Sequence, residues 1–327
     1  MCKKYDVVAL GELLIDFTEN GISSQGNPVF EANPGGAPCN VLSMLARLGH
    51  KASFIGKVGD DLFGRQLEDA IKEVGIDASG LLKDKEVNTT LAFVHTLAGG
   101  DRDFSFYRRP GADMMLRADE LKNELLENCR IFHFGTLSMT AEGCREATKK
   151  AIEVAKEAGA IISFDPNLRE PLWESLDAAK EQTAYGLSKC DVLKISDNEI
   201  QWFTGKEDYE AGVRYLQEHY NIKLILVSLG REGSMAFSGS NKAAVPAIIR
   251  KETIETTGAG DTFGACILHQ VLQKGLREYS IAELEEMLLF ANAAASIVTT
   301  RKGALRVMPA MDEIQELMRT NRILGAK

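Results

Sequence analysis

The sequence predicts an α/β fold around a mostly parallel sheet, with a smaller antiparallel β piece set apart from it. Three observations predict it. Short apolar, strand-like runs alternate with helical segments from Asp6 to Gly75, and that alternation reads as βαβ units with parallel strands. A hairpin pattern then interrupts it. Thr89–Leu97 and Asp103–Arg108 flank Ala98-Gly99-Gly100-Asp101, a glycine turn between two antiparallel strands. Late in the chain, Gly258-Ala259-Gly260-Asp261-Thr262-Phe263-Gly264 leads into the largely apolar Ala265–Leu272, a glycine-rich loop feeding a helix.

Asp6-Val7-Val8-Ala9-Leu10-Gly11 is a short buried strand closed by glycine. Asp16 lies just beyond its carboxyl end, where open α/β sheets hold ligands; a solvated loop acid is the plainer alternative. Residues around Val29–Ala32 add a strand to the hairpin piece. Pro34-Gly35-Gly36-Ala37-Pro38 opens a helix over Cys39–Leu48. The paired glycines Gly35 and Gly36 allow the backbone close to a ligand, and Asn40 in the first turn faces the same place. Ala52–Gly56 is the next strand, and Gly59–Gly64 turns into a helix over Arg65–Val74 closed by Gly75. A helix near Asp119–Leu126, a strand over Arg130–Thr136 and a helix over Glu142–Ala158 follow. The strand ending at Asp165 breaks into Pro166-Asn167-Leu168-Arg169, either a plain turn or the rim of a site. Asp191–Ser196 is a further strand, and Ser196 with Glu199 forms a capping box for the helix through Phe203. Lys223–Ser234 reads as strand, glycine turn, strand. Ala291–Ser296 is a small-residue helix, suited to close packing or to lining a flat slot.

The apolar content of 45% suffices for a sizeable core. The net charge of −9, with acids and bases intermixed, argues against a nucleic-acid surface. No apolar run reaches the roughly 20 residues of a membrane span, and Met1–Tyr5 leads straight into a strand without a signal-peptide pattern. The cysteines Cys2, Cys39, Cys129, Cys144, Cys190 and Cys266 form no C-x-x-C pair. They read as reduced thiols in a reducing, cytoplasmic compartment.

The loop at Gly258–Gly264 points free N–H groups and the positive end of a helix dipole at one spot, which suits a phosphate or a developing oxyanion. Asp261 does not fit a simple anion cradle. A carboxylate there is best explained as a base that takes a proton from an attacking hydroxyl. Two alternatives remain on the loop alone. Asp261 can cap the helix of a tight turn, and G-x-G-x-x-x-G is one residue longer than the dinucleotide fingerprint. No P-loop motif occurs.

Thr256-Thr257-Gly258-Ala259-Gly260-Asp261-Thr262-Phe263 resembles the C-terminal signature of the ribokinase-like (PfkB) sugar kinases. Pro34-Gly35-Gly36-Ala37-Pro38-Cys39-Asn40-Val41 with Leu45–Gly49 resembles the N-terminal one, and the similarity runs over essentially the whole chain. The resemblance implies one ribokinase-like three-layer α/β/α domain over residues 1–327. It carries a β-sheet lid from strands at roughly 13–35 and 88–110, and family members often pair lids into homodimers. Phe106-Tyr107-Arg108-Arg109-Pro110-Gly111-Ala112-Asp113-Met114-Met115-Leu116 is similar to the fructokinase branch, which implies ATP-dependent phosphorylation of fructose. A 2-keto-3-deoxygluconate kinase, or a non-catalytic sugar and nucleotide binder of the same fold, stands as the alternative.

Residue by residue, the resemblance assigns Asp261 as catalytic base and the amides of Gly258, Ala259, Gly260 and Asp261 as anion hole. Asp16, Gly35, Gly36, Asn40, Arg108 and Arg169 would contact the sugar. For Arg108 a solvated turn is the alternative. Ser228, Gly230, Gly233, Gly258, Gly260 and Asn292 would contact ATP. Glu199 would organise Mg²⁺ through water, although Ser196 replaces the usual asparagine of N-x-x-E. Thr300-Arg301-Lys302-Gly303-Ala304 resembles a monovalent-cation loop, K⁺ being the candidate; Glu255 replaces its usual Asp, which leaves cation dependence open.

Overall fold

Strands that alternate apolar residues onto two faces need cover on both, and this chain supplies it. The computed structural model describes residues 3–96 and 102–325. The first half of the chain runs β1 (Tyr5–Leu10), β2 (Leu14–Ile22), β3 (Pro28–Gly35), α1 (Ala37–Arg47), β4 (Ala52–Gly59), α2 (Leu62–Glu73), β5 (Ile76–Asp84), β6 (Leu91–Thr96), β7 (Arg102–Tyr107), α3 (Asn123–Glu127), β8 (Cys129–Gly135), α4 (Glu142–Glu157) and β9 (Ile161–Asp165). The second half runs α5 (Leu176–Lys189), β10 (Val192–Ser196), α6 (Asp197–Thr204), α7 (Tyr209–His219), β11 (Leu224–Ser228), β12 (Ser234–Ser238), β13 (Asn241–Val245), α8 (Ala259–Lys274), α9 (Ile281–Val298) and α10 (Met311–Gly325).

Nine strands form one sheet in the order β13-β12-β11-β10-β9-β8-β1-β4-β5, parallel except for the antiparallel pairs β11–β12 and β12–β13. Val7 and Ala9 of β1 pack into one core with α1, α8 and α9. Val8 and Leu10 pack into the other, with α4, α6 and α7. The molecule is therefore a three-layer α/β/α sandwich, the architecture the resemblance implies. Strand order reverses at β1, between β4 and β8, so the crevice beyond the carboxyl ends of β1 and β8 is a ligand position by topology alone.

A second sheet, β3-β2-β6-β7, stands apart. β6 and β7 pair antiparallel from Leu91–Tyr107 to Thr96–Arg102. The glycine turn expected between them lies outside the described residues. β2 and β6 pair in parallel. Phe93 stacks on Phe17 at 4.8 Å, and Phe17 meets Phe63 of α2 edge-on at 5.6 Å, which anchors the small sheet to the main body.

Some boundaries differ from the sequence reading. α2 begins at Leu62, three residues early, because Asp61 rather than the glycine turn caps it, accepting the Gly64 N–H at 2.7 Å. Among the described residues Cys39, Cys129, Cys144, Cys190 and Cys266 are buried free thiols. No described helix is long and apolar enough to cross a membrane.

Candidate active site

The first turns of α1 and α8 meet where the two glycine-rich stretches end. Gly36 is the N-cap of α1 with φ 128°, and a Cβ there would stand 2.4 Å from Glu12 O. Only glycine fits so close to the β1–β2 connection. Glycine offers no capping side chain, so Glu12 does the work from that connection: its Oε1 accepts the Ala37 N–H at 2.8 Å. Burial pushes the Glu12 carboxyl up to about 7. The consequence is a fixed first turn that delivers Asn40, which is 4% exposed. Asn40 Nδ2 donates to Asp261 Oδ2 at 2.8 Å, while its buried Oδ1 has no partner. A buried, unpaired amide oxygen is a place for a hydroxyl donor.

Asp261 sits in the first turn of α8, whose N-cap Gly258 is left-handed at φ 74°. A Cβ on Gly258 would lie 2.8 Å from Ala304 Cβ, so the loop at Gly303–Ala304 packs directly on it. Burial raises the Asp261 carboxyl, opposed by the Asn40 hydrogen bond and by the positive charges of Lys194 and Arg169. One expected member of the anion hole departs from the plan. The Ala259 N–H turns back onto Thr256 O at 3.2 Å. The first-turn amides that face outward for an anion are then those of Gly258, Gly260 and Asp261.

Asp16 on β2 reaches across its own hairpin; a Cβ on Gly35 would meet its Oδ2. Asp16, Gly35, Gly36, Asn40 and Asp261 thus converge. Arg169 approaches from the loop after β9, where Nη1 donates to Asn167 Oδ1 at 2.9 Å and to Leu168 O at 3.1 Å. Asn167 holds φ 45°, a left-handed conformation that asparagine tolerates better than most residues.

Arg108 requires a correction. It was expected at the ligand, but it is 3% exposed and turned inward. Nε donates to Asp113 Oδ2 at 2.8 Å, Nη1 to Thr140 Oγ1 at 2.8 Å and Nη2 to Leu137 O at 3.0 Å. With Asp113 only five residues on, the guanidinium fork is occupied by protein. It braces the exit of β7 against the segment after β8.

A cavity of about 390 Å³ opens beside α8 and is lined by Ser228, Gly230, Gly233, Ala259, Gly260 and Asn292, among others. Gly230 has open space where a Cβ would stand. Gly233 is a different case: a Cβ there would strike Val245 O at 2.2 Å, so it serves the β12–β13 packing as well. Asn292 lines the cavity, but its amide reads protein rather than ligand. Oδ1 accepts from Ser234 Oγ at 2.9 Å, and Nδ2 donates to Val245 O and Pro246 O. It fixes the loop that forms the cavity wall.

Glu199 closes the capping box of α6 with Ser196 and also accepts the Leu168 N–H at 2.7 Å. It ties the loop after β9 to the carboxyl end of β10. Among the described residues no group of three His, Cys, Asp or Glu side chains could hold a metal ion. A divalent cation there would be held mainly by a ligand's own phosphates, with water between it and Glu199, the usual mode for Mg²⁺. Glu255 Oε1 accepts the Gly303 N–H at 2.8 Å and so joins the two strips of loop around Gly258.

Sequence reasoning missed Lys194. It lies on β10 with its side chain 12% exposed, and Nζ is 3.0 Å from Asp165 Oδ2. A Cβ on Gly260 would stand 3.3 Å from that Nζ. Inside the apolar run Val192-Leu193-Lys194-Ile195, a lone lysine is the available signal, since strand faces buried on both sides seldom carry a charge.

Residues 4–311 match the profile described as pfkB family carbohydrate kinase. The chain belongs to that family. It is 42% identical over 317 residues to the probable fructokinase-4 of Arabidopsis thaliana, covering 96% of this chain and 97% of the relative. A fructokinase from Xylella fastidiosa with bound ATP is similar in structure, with a TM-score of 0.86 at 30% identity over 97% of this chain and 99% of that one. A double mutant of a fructokinase from Vibrio cholerae O395, in a fructose-, ADP- and potassium-bound form, has a TM-score of 0.86 at 27% identity, over 97% of this chain and 100% of the other.

Proposed function

We propose that this carbohydrate kinase is an ATP-dependent fructokinase, converting D-fructose and ATP into D-fructose 6-phosphate and ADP. One observation carries the reading: Asn40 and Asp261, one from each signature stretch, are joined at 2.8 Å where the first turns of α1 and α8 meet. The likeness to fructokinases over nearly the whole chain supports the sugar. Fructose lies between Asp16, Gly35, Gly36, Asn40 and Arg169. ATP lies in the cavity along Ser228, Gly230 and Gly233, with its phosphates toward Gly258 and Gly260.

Asp261 accepts the proton of the 6-hydroxyl as that oxygen bonds to the γ-phosphorus. The bond from the γ-phosphorus to the bridging oxygen breaks, and ADP leaves with that electron pair. The amides of Gly258, Gly260 and Asp261 meet the charge that spreads over the transferring group, which is where such catalysis gains most. Glu199 would hold Mg²⁺ through water, and the ion would supply neutralisation of phosphate charge. Glu255 and the Gly303 loop would hold K⁺, which would stiffen the anion hole. The chain acts as one domain in the cytoplasm, its small sheet as a lid, and two lids pair in a homodimer through the edges that a sheet of four strands leaves open.

The occupied fork of Arg108 weakens the 2-keto-3-deoxygluconate alternative, which needs cations for a carboxylate. An ADP-release assay comparing fructose with 2-keto-3-deoxygluconate, ribose and glucose tests the proposal. Turnover greatest on fructose is expected. Preference for the keto-acid, or ATP binding with no turnover on any sugar, would overturn it.

A further inference from the structure

We propose that Lys194 is the counter-charge that keeps Asp261 ionised opposite a bound nucleotide, and that Asp165 holds it in place. The inference rests on the kinase reading of the site and deepens it.

The placement of Lys194 is hard to explain by stability. Its neighbours on the same face, Val192, Leu224 and Leu226, belong to the core under α8 and α9. An ion pair in such a place is commonly no better than apolar residues of similar volume. A cation beneath the first turn of α8 also opposes the positive end of the helix dipole. Yet Nζ stands 3.0 and 3.2 Å from the two oxygens of Asp165, and directly under Gly260, where any side chain would abut it.

The charges around it give it a use. Asp261 is faced by Asn40 from α1, by Asp165 and Arg169 from β9 and the loop after it, by Lys194 from β10, and by Glu199 from α6, which acts on the same cluster. Three carboxylates thus meet two cations. Burial works against the Lys194 ammonium, but Asp165, Glu199 and Asp261 hold its pKa above the usual lysine value. A nucleotide triphosphate beside α8 brings several more negative charges. These favour a protonated, useless Asp261. Arg169 is tied to Asn167 and Leu168 in a loop. Lys194 is the buried cation, screened least by solvent.

The test uses the full-length protein and four forms: wild type, Lys194→Met, Lys194→Arg, and the double variant Lys194→Met/Asp165→Asn. The double variant removes both charges and so leaves no unpaired buried ion. Two readouts apply. One is the pH profile of kcat for ADP release with fructose and ATP. The other is the Asp261 carboxyl titration, followed by infrared difference against each form's Asp261→Asn counterpart. An opposite charge beside a carboxyl shifts it by about 1–3 pH units. We therefore expect the double variant to fold with a wild-type unfolding midpoint. In Lys194→Met the acid limb and the Asp261 titration should both move up by about one unit or more, kcat on the acid limb should fall about tenfold or more, and fructose KM should stay nearly unchanged; the double variant, which also removes the Asp165 carboxylate facing Asp261, should move both less. Lys194→Arg should restore most of the turnover that Lys194→Met loses. A Lys194→Met form with wild-type profile and titration would overturn the proposal, leaving Lys194 as a mere partner for Asp165. So would a variant with raised ATP KM and intact kcat. No wild-type turnover on fructose would sink the fructokinase reading instead, and the infrared titration would still decide for or against Lys194.

Discussion

Replacing Arg108 by methionine separates a ligand contact from an internal brace. The side chains of Arg108 and Asp113 are 1% and 2% exposed, and Nη2 lies 2.7 Å from Oδ2. Methionine fills much of the same volume but removes the charge. Among the described residues Asp113 then keeps the Thr90 hydroxyl as its donor, Thr140 Oγ1 loses its donor, and Leu137 O keeps the Thr140 hydroxyl and N–H. Stripping one partner from a buried pair costs about 3–5 kcal/mol. At roughly 2 °C per kcal/mol for a chain of this size, that lowers Tm by about 6–10 °C. Urea unfolding followed by fluorescence of Trp173 and Trp202 reads the loss as a lower midpoint with unchanged slope. The double variant Arg108→Met/Asp113→Leu should regain most of it, because no lone charge remains. Steady-state kinetics at 20 °C, where Arg108→Met is still folded, should give a fructose KM within about threefold of wild type. An unchanged midpoint together with a fructose KM raised more than tenfold would refute this reasoning and return Arg108 to the sugar.

Three further outcomes follow from the geometry. Asp261→Asn preserves shape and a hydrogen-bonding atom for Asn40, so calorimetry should still detect fructose binding. Turnover should fall by about 10²–10⁴-fold, or roughly 3–5 kcal/mol of barrier; near-normal kcat would exclude the base. Gly36→Ala places a methyl 2.4 Å from Glu12 O at φ 128°; expected are a lower urea midpoint, by about 1–3 kcal/mol, and a raised fructose KM, and a variant matching wild type in both would show that the loop is not held as described. His269 Nδ1 lies 2.7 Å from His50 Nε2, and burial together with His50 lowers its pKa to about 4. Below the unfolded value of about 6.5 the unfolded chain takes up a proton that the folded one refuses, so this group's contribution to stability is present above pH 6.5 and is lost as pH falls toward 4. His269→Phe should lose less Tm than wild type between pH 7 and 5, and equal losses would remove His269 from the acid response.

Much of the architecture is written in local chemistry. The strands β1, β8 and β11 show as apolar runs because both faces are buried, and α6 announces itself through Ser196 and Glu199. The helix α5 does not show itself. Its buried positions Ala179, Gln182, Thr183, Gly186 and Leu187 keep helical spacing, but most are small or polar, so no apolar stripe is visible. β5 is hidden for a related reason. Gly80 breaks its pattern, yet a Cβ there would strike Phe54 O at 2.5 Å, so the glycine is what allows the strand to pack. At the site, glycines and Asp261 are legible because few other residues suit a loop before a helix. Arg108 is not, since the same Arg-Arg-Pro-Gly stretch fits a fork aimed at a ligand or at Asp113. Lys194 depends on a pairing with Asp165 from another strand, 29 residues away, which no local pattern announces.

The hydrogen bond between Asn40 and Asp261 joins positions 221 residues apart. On the ribosome, at about 5–20 residues per second, the first waits about 10–40 s for the second to be made. During that time β1, β4 and α1 exist without α8 and α9, and the wall of Val7, Ala9, Phe54 and Leu45 that those helices will cover faces water. The nascent chain is then at its stickiest when nearly finished. Chaperone occupancy should peak late in synthesis and drop once the last quarter of the polypeptide clears the exit tunnel.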